Sequence, residues 1–265
     1  MNKFFKRGRI VLGATAMAAV MASGCGDSES FVYTNPQSTI APPIAVNDAF
    51  TALGNATLER TAANGVLTND TLNGAAIISF DSEGSNGGSM VLNNDGSLSY
   101  TPVFGFVGAE SFGYTIANVS GEATATVTFT STGSGFFVDN TAADGGDGSQ
   151  ASPFDTLAEA VAAASDGDTV FVSRGNGTSD GLTGAVNLPT GVDLIGEGVG
   201  LILAQTIVPA GTAPVIQGPI FCGGDNTISG LTIRGSAESA IEAENVGDIF
   251  ILNNTIGEVP MRISF

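Results

Sequence analysis

Histidine and tryptophan are absent from the 265 residues, and lysine does not recur after Lys6. Without imidazole there is no Ser–His or Cys–His nucleophile pair and no His-based zinc site. Positive charge is scarce as well: 8 Lys and Arg stand against 26 Asp and Glu, a formal net charge of −18. Lys3, Lys6, Arg7 and Arg9 hold half of it, so the rest of the chain has only Arg60, Arg174, Arg234 and Arg262. Phosphate backbones are bound by clustered Lys and Arg that release counterions, which excludes nucleic acid as a partner. Cysteine is limited to Cys25 and Cys222, too few for a disulfide framework. Cys222 ends the apolar run Pro219–Phe221 and reads as a small buried hydrophobe. What is present, 43% hydrophobic residues with 37 glycines, describes a folded, turn-rich extracellular protein whose acidic surface stays hydrated, not a disordered tail.

The four basic residues of the first nine are followed by an uncharged run, Ile10–Ala22, of 13 residues. That is the pattern of an export signal, and it falls short of the roughly 20 apolar residues that a bilayer-spanning helix needs. Ala22-Ser23-Gly24-Cys25 resembles the bacterial lipobox, although Ala22 stands where Leu is usual. The resemblance implies cleavage after residue 24, acylation of Cys25 and a membrane partner reached through that lipid, since several acyl chains hold far better than one. Gly26, rather than Asp, after the cysteine resembles the sorting rule for the outer membrane. Residues 1–24 are thus expected to be a signal peptide and residues 25–45, broken by Asn35-Pro36 and Pro42-Pro43, a tether without a period.

From Val46 to Ser131 short β-type runs are cut by turn residues at roughly 8 to 12 residue spacing, the pattern of an antiparallel sandwich. Met90-Val91-Leu92 and Ser97–Thr101 flank Asn93-Asn94-Asp95-Gly96, a hairpin signal, and Ala123–Phe129 alternates apolar with polar residues. Val46-Asn47-Asp48, Gly65–Asp70, Asp95–Pro102 and Gly105–Thr115 resemble, in order, the motifs of the cadherin-like, immunoglobulin-like modules of large bacterial adhesins. Ser131–Gly135 reads as a Gly-Ser hinge.

The second domain is expected over residues 136–265. Phe136-Phe137-Val138-Asp139, the loop Asp144–Gly148 and Ser152–Leu157 resemble the entry to bacterial right-handed parallel β-helices of the pectate-lyase-like type. Ser152–Ala164 reads as one amphipathic helix, with Ser152 as N-cap and Leu157, Ala160, Val161 and Ala164 on one face, suited to plugging the open apolar end of a solenoid. Gly167–Val172 and Val192–Val199 read as coils, and the Thr-Ile pair at Thr232-Ile233 recurs at Thr255-Ile256, a plausible rung period. The chain reaches Phe265 in mid-rung, so a partial helix with an open C-terminal end is expected. The fold class is all-β: an immunoglobulin-like sandwich, then a right-handed parallel β-helix with an N-terminal capping helix.

Enzymes of that shape use Asp-held Ca²⁺ and an arginine base, or a carboxylate pair about 5 to 9.5 Å apart. Arg174, Arg234 and Arg262 are the only arginines for the first, and Glu238, Glu242 and Glu244, close in sequence, are the candidates for the second; solvated surface explains both sets as well. Gly196–Gly200 lacks the spacing of a dinucleotide loop. Asp139, Asp144 and Asp147 gather around glycines and are the candidate ligands for calcium, the one cofactor with any support; turn formation is the competing explanation. The reading is a lipid-anchored surface protein that presents its β-helix to a glycan or a surface protein without catalysis. A truncated polysaccharide lyase or glycoside hydrolase is the rival.

Overall fold

The computed structural model describes residues 40–264 apart from 204–205, 236–238, 245 and 258–261. Cys25, the leader and Glu238 lie outside the described residues. Seven strands make the first part: β1 (Asp48–Gly54), β2 (Leu58–Arg60), β3 (Ala76–Phe80), β4 (Ser89–Leu92), β5 (Leu98–Thr101), β6 (Gly108–Asn118) and β7 (Gly121–Val138). β3, β6, β7 and β1 form one sheet and β2, β5 and β4 the other. Every pairing is antiparallel except β1 with β7, which run parallel with Asp48 opposite Val127.

Period-two patterning decides which side chains meet between the sheets. β6 turns Glu110, Phe112, Tyr114 and Ile116 inward, β7 turns Ala125, Val127 and Phe129, and β5 answers with Leu98 and Tyr100. Tyr100 stacks on Phe129 across the core at 4.0 Å, with Phe112 edge-on to both. The hairpin read at Asn93–Gly96 joins β4 to β5, and Gly96 takes a φ of +84° that a side chain would resist.

β7 does not stop at the predicted hinge. It runs as one strand through Ser131–Gly135, and its last residues, Gly135–Val138, pair in parallel with Thr169–Val172. Close packing accounts for the glycines: a Cβ on Gly133 would lie 2.0 Å from the Gly167 carbonyl oxygen, and one on Gly135 would lie 2.7 Å from Leu53 Cδ2. Ser131 and Ser134 are buried, and the Ser134 N–H donates to Asp168 at 2.7 Å. Gly and Ser are here because there is no room, not because the chain must bend.

Beyond β7 the strands are short and almost all parallel. Thr169–Val172, Asp193–Gly196, Asn226–Ser229 and Ile249–Leu252 extend the β7 sheet side by side. A second parallel set holds Val186–Leu188, Ile220–Cys222, Ile241–Glu244 and Arg262–Ser264, and a third holds Val215–Gln217, Thr232–Arg234 and Thr255–Ile256. The sequence repeat is the structural one, because Ile233 pairs with Ile256 in register. The ladders Phe136–Val170–Leu194–Ile228 and Val186–Ile220–Ile241 point into one apolar core. Asn226 lies within it, fully buried, donating to Pro189 and Val192 carbonyls at 2.7 and 2.8 Å and accepting from the Gly224 N–H. Leu201–Ile202 and Thr206–Val208 are the exception, an antiparallel pair; Leu201 joins Leu53, Ala56, Phe137 and Phe171 in a small core shared by both parts.

The helix is shorter than its apolar face predicts: α1 spans Leu157–Ala163 with Thr156, not Ser152, as N-cap. Phe154 is held extended by the exchange of backbone hydrogen bonds with Phe137 and Asp139, so helix starts only after it. Thr156 and Glu159 close a capping box, the Glu159 N–H reaching the threonine hydroxyl and that hydroxyl donating to the Glu159 carboxylate at 2.6 Å. Leu157 and Ala160 are buried in the same core as the strand ladders, with Val161 packed against it. Truncating Leu157 to Ala is expected to cost about 2 to 5 kcal/mol through the cavity it leaves. Glu159→Ala removes only an exposed capping contact, so its shift in the denaturation midpoint is much the smaller. Equal shifts would contradict the placement of the helix against the core.

Candidate functional site

The aspartates read as calcium ligands sit in the loop between β7 and α1 but do not meet. Asp139 accepts from the N–H and hydroxyl of Thr141, at 2.9 and 2.6 Å, and Asp147 accepts from the Ser149 N–H at 2.9 Å. Those bonds to Ser149 hold the Asp147 carboxyl below its usual range. Asp144 comes together instead with Asp155 and Glu159, their carboxylate oxygens within 4.8 Å of one another. Desolvation raises Asp155, whereas the hydrogen bond from Thr156 lowers Glu159, so the two neighbours are driven apart in acidity. Asp155 falls in the first turn of the helix expected from Ser152, where nothing marks it as a partner of Asp144. Its meeting with Asp144 depends on the late start of the helix.

The described materials for carbohydrate chemistry fall on several strands. Arg174 and Arg234 are exposed on different strand ends, and Glu242 and Glu244 alternate outward from one strand, with Glu242 accepting from the Ser239 hydroxyl. Arg262 is opposite Glu242 in register. Cys222 is buried against the ladders, and desolvation pushes its thiol up to about 11, which suppresses the nucleophilic thiolate.

A cleft of about 480 Å³ opens on the outward face of the β3–β6–β7 sheet, lined among others by Asn47, Phe80, Asp81, Gly113, Thr115 and Thr126. Gly113 is its floor: a Cβ there would come within 2.9 Å of the Asp81 carboxylate, which accepts the Gly113 N–H at 2.7 Å. Hydroxyls, an amide and one carboxylate beside a partly exposed ring suit a neutral polar ligand. They supply no nucleophile paired with a base.

Two buried carboxylate sites escaped the sequence reading. Glu110, 1% exposed, accepts the N–H groups of Asn86 and Gly88 at 2.8 and 3.0 Å and the Tyr100 hydroxyl at 2.8 Å, which fixes the loop before β4. Its position in phase with Phe112, Tyr114 and Ile116 was the available signal. Asp48 and Asp70 both reach the hydroxyl of Tyr114. Each lies in a motif already singled out, but nothing in the spacing pairs them.

Comparison with curated proteins and with solved structures gives no significant match. The family model described as a bacterial Ig domain matches residues 40–130, the span of the two-sheet sandwich, and this part of the chain is a bacterial Ig-like module.

Proposed function

We propose that the protein is an exported, lipid-anchored surface protein of the adhesion type, held in the outer membrane through Cys25. In this reading residues 25–45 are the tether, the Ig-like module is a spacer, and residues from 136 onward form a partial right-handed parallel β-helix that offers its faces to a glycan or a surface protein without catalysis. The observation that carries the reading is a bacterial Ig-like module continued by a single strand into parallel strands stacked in three sets. The leader pattern and the −18 charge support export and a wet, acidic surface. A truncated lyase or hydrolase is the alternative reading, with Arg262 opposite Glu242 in register as the observation that favours it.

Labelled palmitate is expected to enter the wild-type chain in a lipoprotein-processing bacterium and to be lost in Cys25→Ser, which accumulates as precursor. Protease added to intact cells then removes the module. Equal labelling of both chains contradicts the anchor, and release of unsaturated oligosaccharides from an acidic polysaccharide contradicts the non-catalytic reading.

A further inference from the structure

The segment entering the Ig-like module is fastened by carboxylates. The Val46 N–H donates to Asp70 Oδ1 at 2.8 Å, the Asn69 amide to Asp48 Oδ1 at 3.1 Å, and Ile44 and Thr71 exchange backbone hydrogen bonds. Between the carboxylates is one phenol: Tyr114 Oη lies 3.3 Å from Asp48 Oδ2 and 3.0 Å from Asp70 Oδ2, with the Val46 and Val66 carbonyl oxygens at 3.3 and 3.4 Å. A phenol has a single proton to donate. If it serves one carboxylate, the other presents lone pairs to the phenol oxygen unless it carries a proton of its own. From the elements around Asp48 the titratable groups that meet it are Asp70, from the turn after Val66–Thr68, and Tyr114, from β6; β7 sets Val127 opposite. No cation is among its partners within the described residues.

We propose that Asp48 and Asp70 share one proton through the Tyr114 phenol, and that this proton is a pH-sensitive latch on the N-terminal seam of the module. Protonated, the Asp48 carboxyl donates to the phenol oxygen and the phenol donates to Asp70, so that both of the phenol's carboxylate contacts are hydrogen bonds. Deprotonated, two negative charges face one donor. Burial pushes Asp48 up to about 6, with the Asp70 charge reinforcing it and the Tyr114 hydrogen bond opposing it. The folded pKa lies above the unfolded one, so the latch is fully closed below about 4, the ordinary aspartate value, and is lost as pH rises through about 6.

The test is carbon-detected titration of the carboxyls with amide exchange in the intact chain, in chelator and again with calcium. The expected result is a carboxyl step near 6. Protection of the Val46 and Thr71 amides, corrected for intrinsic rates, is expected to be about tenfold higher at pH 5 than at pH 7.5. In Asp48→Asn, which keeps the shape, that pH dependence disappears, and in Asp70→Asn the step moves down. A step in the ordinary carboxylate range, the same pH dependence in Asp48→Asn, or a step abolished by calcium overturns the proposal; a step unmoved by calcium supports it. None of these outcomes touches the Cys25 labelling, so latch and anchor fail separately.

Discussion

Replacing Glu110 with alanine is expected to destabilise the protein by about 3 to 5 kcal/mol, the loss of charge-assisted hydrogen bonds together with the exposure of unpaired donors to a dry core. The carboxylate is 1% exposed and holds three donors, the Asn86 and Gly88 N–H groups and the Tyr100 hydroxyl. The loop is also shaped around it, because a Cβ on Gly88 would fall 2.1 Å from the Glu110 carboxylate. Glu110→Gln keeps an acceptor for the two N–H groups and can accept nothing more than rearrangement at Tyr100, so its cost is expected near 1 kcal/mol. Denaturant titration of both variants checks the contrast. Equal effects would mean that what counts is the carboxylate charge, which both changes remove, and not the acceptor oxygen that glutamine keeps.

Gly133→Val carries an effect of similar size for a different reason. Its Cβ would meet the Gly167 carbonyl oxygen at 2.0 Å, and its nearest neighbours are backbone atoms of Gly167 and Asp168 rather than the end of a flexible side chain. The expected cost is about 3 kcal/mol or more, at the top of the range for overpacking. Thr132→Val, next in the strand and exposed, is expected to stay within about 0.5 kcal/mol. A flexible hinge at Ser131–Gly135 would tolerate both changes alike.

That contrast marks where the sequence was legible. Turn chemistry around Asn93–Gly96, the alternation from Ala123 to Phe129, and the recurrence of Thr-Ile at Ile233 and Ile256 each carry their own local physics, and the strands follow them. The face of α1 was legible for the same reason, since Leu157 and Ala160 are separated by one helical turn and both are buried. Its start was not, because Phe154 is claimed by Phe137 and Asp139, partners distant in the chain. Glycine and serine at 131–135 read alike as hinge or as close packing until Gly167 and Leu53 are known to lie against them. The two carboxylate sites that the sequence reading missed differ in the same way: Glu110 left a signal in its phase with Phe112, Tyr114 and Ile116, whereas Asp48 and Asp70 meet only through Tyr114.

The central claim is that β7 belongs to the sandwich and to the parallel strands at once, within a single compact unit from Thr39 onward. Calorimetry of the intact chain combined with amide exchange tests it most directly. The account predicts one cooperative transition, with the amides of β6 and of Asp193–Gly196 opening together and Gly133→Val lowering both. Two separate transitions, with the Ig-like module keeping its own melting temperature when Gly133 is replaced, would contradict it.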